Sequence, residues 1–381
     1  MFRAGRSISH SMVFDPSCIK KETMITSIKS LFLCAIIFLP NLLFCIRPIT
    51  FIENDRNSWT LINSVAFHPR KNIFCVTFTQ QHRIGIYEIV DDGQVQSVQM
   101  IENPKAHLLS PQYALFSADG NHLIAINWSS CSFGIYSIGD KGLYEESPKA
   151  VIDTDLFSRG YRPHGMALSS TGDFLAVAYG FCSNAPSMIA LYKICDLDSH
   201  SPNFILLDSL EETCVMEGVP KGIAFSKDDG ALIVSFSETD SLAVFSVDVQ
   251  NGKIDKKPKQ IVQGFGTKLS RPEEVGFSAD GTCCAISNSS KDNVAFYRFD
   301  VRKNQFTSPF PIYTLSLKKQ PIVFPHGIAF SKDNNYFIVT QFGSVKTDPQ
   351  MGVFPGDGKE KEGFFIFDHQ ELKKSFHQRK R

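Results

Sequence analysis

Two histidines occupy the same place in two copies of one phrase. RPHGMALSSTGDFLAV carries His164 and FPHGIAFSKDNNYFIV carries His326. Four further copies, NSVAFHPRKNIFCVTF, QYALFSADGNHLIAIN, KGIAFSKDDGALIVSF and EEVGFSADGTCCAISN, place Asn63, Gln112, Lys221 and Glu273 at that position. All six residues are polar, which packing alone does not require. Imidazole titrates near neutrality, and Lys and Glu add charge of both signs. Arg162 and Arg271 stand two residues before His164 and Glu273, each followed by Pro. Such a set suits a small polar or anionic ligand. The competing reading is structural: strand ends at a solvated surface are polar, and a histidine there hydrogen-bonds to its neighbour.

The elements that position this set come from the repeat. Its anchor hydrophobes are Phe67, Phe116, Leu168, Phe225, Phe277 and Phe330, spaced 49 to 57 residues apart. A period near 50 with strand-like content is the signature of propeller blades. Each copy reads as an innermost strand (GIAFS), a turn such as Asp119-Gly120 or Asp280-Gly281, and an apolar second strand (HLIAIN, YFIVTQ). A third strand (IGIYEI, FFIFD) and a less regular outer strand complete the unit. The expected fold is an all-β propeller of six four-stranded blades, with seven the alternative count. The last copy lacks an outer strand, and Pro48 to Asn54 (PITFIEN) is expected to supply it, closing the ring. The propeller then spans residues 47–370. The twin phrases lie three repeats apart, so their histidines should face one another across the central channel. Eleven residues after the anchors stand Phe78, Asn127, Tyr179, Phe236, Asn288 and Gln341, expected near the same channel mouth.

The totals fit one large domain. The chain has 381 residues, 43% of them hydrophobic, and 39 basic residues balance 39 acidic ones. No broad basic footprint for nucleic acid exists. Residues 1–46 differ in texture. Leu31 to Ile46 is a 16-residue apolar run preceded by Lys20, Lys21 and Lys29, which reads as a signal-peptide core or anchor. Export, or membrane anchoring through residues 28–46, is expected, with a cytoplasmic protein the alternative. The ten cysteines include no C-x-x-C pair, which removes zinc-ribbon and thioredoxin-like readings. Cys131 and Cys182 could pair across neighbouring repeats; the plainer expectation is small buried hydrophobes. The segment between Phe342 and Gly363 is long for a blade loop and is read as a flap or a tolerated insertion. Residues 371–381 form a basic tail, expected to be solvated. Asn127-Trp128-Ser129 and Asn288-Ser289-Ser290 match a glycosylation pattern but occupy ring positions and read as structural. No G-x-S-x-G, H-E-x-x-H or Walker A motif occurs, and Gly264-Phe265-Gly266 lacks the remaining glycines of a dinucleotide loop.

The phrase P-H-G-I-A-F-S-x-D-x-x-Y-F-I-V-T, with its following V-x-V-F-x-x-D-type strand, resembles the propeller-lactonase family. That family includes 6-phosphogluconolactonase-like proteins and YVTN-type repeats. The resemblance covers most of Ile49 to Asp368. It implies hydrolysis of a sugar lactone, or cyclisation as in fungal relatives. On that reading His164 or His326 serves as general base, and Glu273 orients a histidine or takes over as base. Arg162, Arg271 or Lys221 holds the anionic part of the substrate, with Gln112, Asn127 and Asn288 completing the binding set. No cofactor is expected. The alternative is a divalent cation such as Ca²⁺, held as in six-bladed gluconolactonases by Glu273, Asn63, Asn127 and Asn288, though one carboxylate is few for calcium. The competing class is a non-enzymatic exported propeller that binds a protein or surface ligand.

Overall fold

The innermost strands are Ile62–Phe67, Pro111–Phe116, Pro163–Leu168, Pro220–Phe225, Pro272–Phe277 and Pro325–Phe330. Each opens one antiparallel sheet, and each touches the innermost strands on either side, so the six sheets form a closed ring. This computed structural model describes residues 46–54, 60–102, 104–181, 185–211, 218–317, 321–344 and 361–378. The apolar leader, Cys182 and most of the long loop after Phe342 lie outside the described residues.

The blades follow the repeat copies in order. In blades 4 and 5 the outer strand is split in two, as Lys253–Ile254 with Gln260–Val262 and Gln305–Phe306 with Tyr313–Leu315. Blade 6 is completed by Thr50–Glu53, which pairs with Gly363–Asp368 from Thr50↔Ile366 to Glu53↔Gly363. The second strands are apolar and buried along nearly their whole length, because neighbouring blades cover both faces. Six apolar clusters fill the space within and between blades. Cys75, Cys131, Cys283 and Cys284 are buried free thiols, as small hydrophobes would be.

The tail differs from the expectation of a solvated end. His369–Gln378 is a helix, and Asp368 caps it by accepting hydrogen bonds from the Gln370 and Glu371 N–H groups at 2.7 and 3.1 Å. Leu372 and Phe376 are buried against Phe296 and its neighbours, with the Phe376 ring 5.3 Å from that of Phe296. The apolar spacing of four residues, Leu372 to Phe376, outweighs the basic composition.

One irregularity recurs at the start of every innermost strand. The register shifts directly after Ile62, Pro111, Pro163, Pro220, Pro272 and Pro325. A bulge re-aims side chains, and proline suits a first strand position because it gives no ladder N–H. The shared polar position of the six copies sits in this bulge.

Candidate active site at the channel mouth

The bulges turn Asn63, Gln112, His164, Lys221, Glu273 and His326 into a cavity of about 110 Å³ at one end of the channel. All six are buried, between 3 and 7% exposed. Arg271 also lines the cavity and remains half exposed. Aromatic walls come from Trp128, Phe181, Phe324 and Phe342. Trp128 and Phe181 meet edge to face at 5.1 Å, and the Phe342 ring stacks on His326 at 4.7 Å. These four aromatics escaped the sequence reading because they lie in loops outside the six-residue set. The opposite end of the channel is a funnel of about 310 Å³, lined by the anchor residues of all six blades together with Ser117, Ser169, Ser170 and Lys332.

His164 and His326 meet as the twin phrases imply, with ring centroids 5.1 Å apart. Glu273 stands between them: its Oε2 is 3.7 Å from His164 Nε2 and 3.6 Å from His326 Nε2. The other oxygen, Oε1, accepts from Ser289 Oγ at 3.1 Å and lies 3.6 Å from Arg271 Nε. His326 Nδ1 is 2.9 Å from the Asn63 carbonyl. A carbonyl only accepts, so the proton is on Nδ1 and Nε2 faces the cavity with its lone pair. Burial lowers the His326 pKa, against the opposing pull of Glu273 and the Asn63 carbonyl. Burial, then the charge of Lys221, lowers that of His164 further. Both imidazoles are therefore neutral bases at neutral pH. Glu274, next to Glu273, is buried as well, and desolvation pushes its carboxyl up to about 8.

Neighbouring blades hold these residues through the main chain. Ser287 Oγ donates to the His326 carbonyl at 2.6 Å and Ser235 Oγ to the Glu273 carbonyl at 3.0 Å. Both hydroxyls stand ten residues after an anchor, as does Thr77, whose Oγ1 is 3.3 Å from the Gln112 carbonyl. That recurrence was the available signal for them. Glycine follows the site residue at 165, 222 and 327, where strands approach closely. A Cβ on Gly165 would lie 2.4 Å from the Lys221 carbonyl oxygen.

Three expected site residues lie elsewhere. Arg162 donates to the carbonyls of Phe157 and Tyr161 and stacks over the Phe157 ring at 4.0 Å, away from the cavity. Asn127 and Asn288 are fully buried, and neither lines it. Their Oδ1 atoms accept from the Leu109 and Ser270 N–H groups, each two residues before a strand-opening proline. Gln341 does the same for Val323. These amides clamp the chain as it enters the innermost strand, so the set of Glu273, Asn63, Asn127 and Asn288 expected for calcium is not assembled. Asn63 itself donates to Thr79 and Gln112.

No family model matches the sequence, and no curated protein matches it. Solved structures do resemble it. A putative 6-phosphogluconolactonase from Bacteroides fragilis superposes with a TM-score of 0.51 at 14% identity, over 78% of this chain and 84% of that one. The periplasmic gluconolactonase PpgL of Pseudomonas aeruginosa gives a TM-score of 0.52 at 15% identity, over 81% and 88%. A luciferin-regenerating enzyme gives 0.57 at 9% identity, over 84% and 95%. At these identities the likeness shows the propeller fold, which lactonase propellers share.

Proposed function

We propose that the channel mouth is a hydrolase site acting on a small lactone. The observation that carries this reading is His326: its Nδ1 proton is committed to the Asn63 carbonyl, and its basic Nε2 faces a cavity flanked by Glu273, Lys221 and Arg271. A water held between His326 Nε2 and Glu273 Oε2 attacks the lactone carbonyl carbon. Its proton passes to Nε2, and Glu273 stabilises the imidazolium. Lys221 and Arg271 offset the negative charge that develops on the carbonyl oxygen. The ring C–O bond then breaks, and the alkoxide takes the proton from Nε2, leaving a hydroxy acid. The sugar-lactone class is supported by the two neighbours described as a putative 6-phosphogluconolactonase and a periplasmic gluconolactonase. The aromatic wall of Trp128, Phe181, Phe324 and Phe342 equally admits a lactone with an apolar ring face.

The test is acid release by the purified full chain at pH 7. The panel covers δ-gluconolactone, its 6-phosphate and several apolar lactones. We expect turnover of at least one and its loss in His326→Ala, with thermal melts confirming that the variant folds. Hydrolysis no faster than the protein-free background, or equal in the variant, removes the assignment.

A further inference from the structure

Among His164, His326 and Glu273 the protein leaves one contact without a donor, which either the hydrolytic water or a cation can fill; the two are alternatives, because each uses the His326 Nε2 lone pair. With the proton on His326 Nδ1, Nε2 carries a lone pair and lies 3.6 Å from Glu273 Oε2, itself a lone-pair atom. That oxygen has no hydrogen-bond partner, although Glu273 is only 3% exposed. His164 Nε2 lies 3.7 Å from the same atom. A buried carboxylate oxygen without a donor is costly, and a lone pair cannot supply one. A cation shared by the three atoms satisfies all of them.

We infer that His164 Nε2, His326 Nε2 and Glu273 Oε2 form a binding site for a first-row transition-metal dication of the Zn²⁺ class. The three ligand atoms lie within 4.8 Å of one another. Around zinc, with bonds of about 2.0–2.2 Å, tetrahedral ligand atoms are roughly 3.4 Å apart, so the two nitrogen–oxygen distances need to close by about 0.2–0.3 Å and the nitrogen–nitrogen distance by at most about 1.4 Å. Two nitrogens and one oxygen favour zinc, cobalt or iron over calcium and magnesium, which prefer oxygen. The supporting contacts are those of a metal centre. The Asn63 carbonyl fixes the tautomer of His326, and Ser289 with Arg271 holds Glu273 Oε1, leaving Oε2 toward the imidazoles. Lys221 and Arg271 line the same cavity. Their charges work against a bare dication and favour one that also carries an anionic ligand from the mouth.

The inference stands on these side chains and not on turnover. The full chain, stripped with a chelator, is titrated with Zn²⁺ and with Ca²⁺ by calorimetry, and with Co²⁺ by visible absorption. We expect one equivalent of Zn²⁺, no Ca²⁺ uptake, and Co²⁺ ligand-field bands of a four-coordinate site that Zn²⁺ abolishes. His164→Ala, His326→Ala and the near-isosteric Glu273→Gln should each weaken Zn²⁺ by about 100-fold or more. His200→Ala, at an exposed histidine, should not. No stoichiometric uptake by the unmutated chain, or uptake unchanged in all three variants, overturns the inference. Zinc uptake without lactone turnover would retain the metal site and remove the hydrolase reading. Turnover without uptake would do the reverse.

Discussion

The Ser287 hydroxyl in blade 5 donates to the main-chain carbonyl of His326 in blade 6, across 2.6 Å. The backbone carrying one base of the site is thereby fixed by its neighbour. Ser287→Ala leaves that buried carbonyl without its donor, at a cost of about 1–3 kcal/mol. We expect a lower melting temperature. If hydrolysis is found, kcat should fall more than KM rises, because the base moves while the binding groups stay. A melt unchanged within error would show that the bond contributes nothing.

Gly165 lies against the backbone of blade 4, where a Cβ would stand 2.4 Å from the Lys221 carbonyl oxygen. Backbone cannot move aside as a flexible side chain can. Gly165→Ala should therefore push blades 3 and 4 apart at the channel and cost about 2–4 kcal/mol. Gly142→Ala is the control: no atom lies within 4 Å of its Cβ, and only its positive φ of 74° is strained. Denaturant titration of the two variants should give the larger loss at Gly165.

How legible these contacts were follows from what repeats. The blades, their order and the closing strand were readable because hydrophobic anchors and strand runs recur every fifty or so residues. The facing of His164 and His326 followed from the repeat count alone. The bulge that turns those side chains inward leaves no mark beyond the preceding proline, so position could be inferred and orientation could not. Asn127 and Asn288 look identical in sequence whether their amides face a ligand or clamp a loop. Only the N–H groups of Leu109 and Ser270, eighteen residues back along the chain, decide it. Phe376 was hidden by its lysine-rich surroundings.

Acid should unfold the ring through its turns. Asp119, Asp228, Asp280 and Asp333 each accept from a serine two residues earlier, at 2.5 to 2.7 Å. Partial burial alone would raise these carboxyls, but the hydrogen bonds from serine and nearby donors outweigh it, and all four are held below the usual range. A depressed carboxyl contributes stability that is fully present above its unfolded value, about 3.9, and lost as pH falls through the folded value. These four carboxyls add no pH dependence from pH 7 to 5, where the raised Glu274 carboxyl gains stability on acidification and the lowered His164 and His326 imidazoles lose it. Below pH 4 the loss of the four carboxylates should make the melting temperature drop. Ser278→Ala with Ser331→Ala should lower it at pH 5 and flatten the drop. An equally steep drop in that variant would place the acid sensitivity elsewhere.

The ring should also depend on its first strand. Thr50–Glu53 covers the edge of Gly363–Asp368, whose sequence is GFFIFD, and the Phe51 ring packs 4.5 Å from that of Phe365. Gly363 admits the strand at close range: a Cβ there would lie 2.3 Å from the Ile52 carbonyl oxygen. Removing residues 1–54 exposes an unpaired apolar edge, which templates pairing with another chain. We expect such a chain to self-associate in light scattering and to melt at lower temperature. A synthetic peptide of residues 47–54 should reverse both effects by re-adding the strand, while a peptide with Phe51 and Ile52 changed to Asp should not. A truncated chain that stays monomeric with an unchanged melt would mean that the third strand of blade 6 tolerates an open edge. Closure by the N-terminal strand would then add nothing to stability.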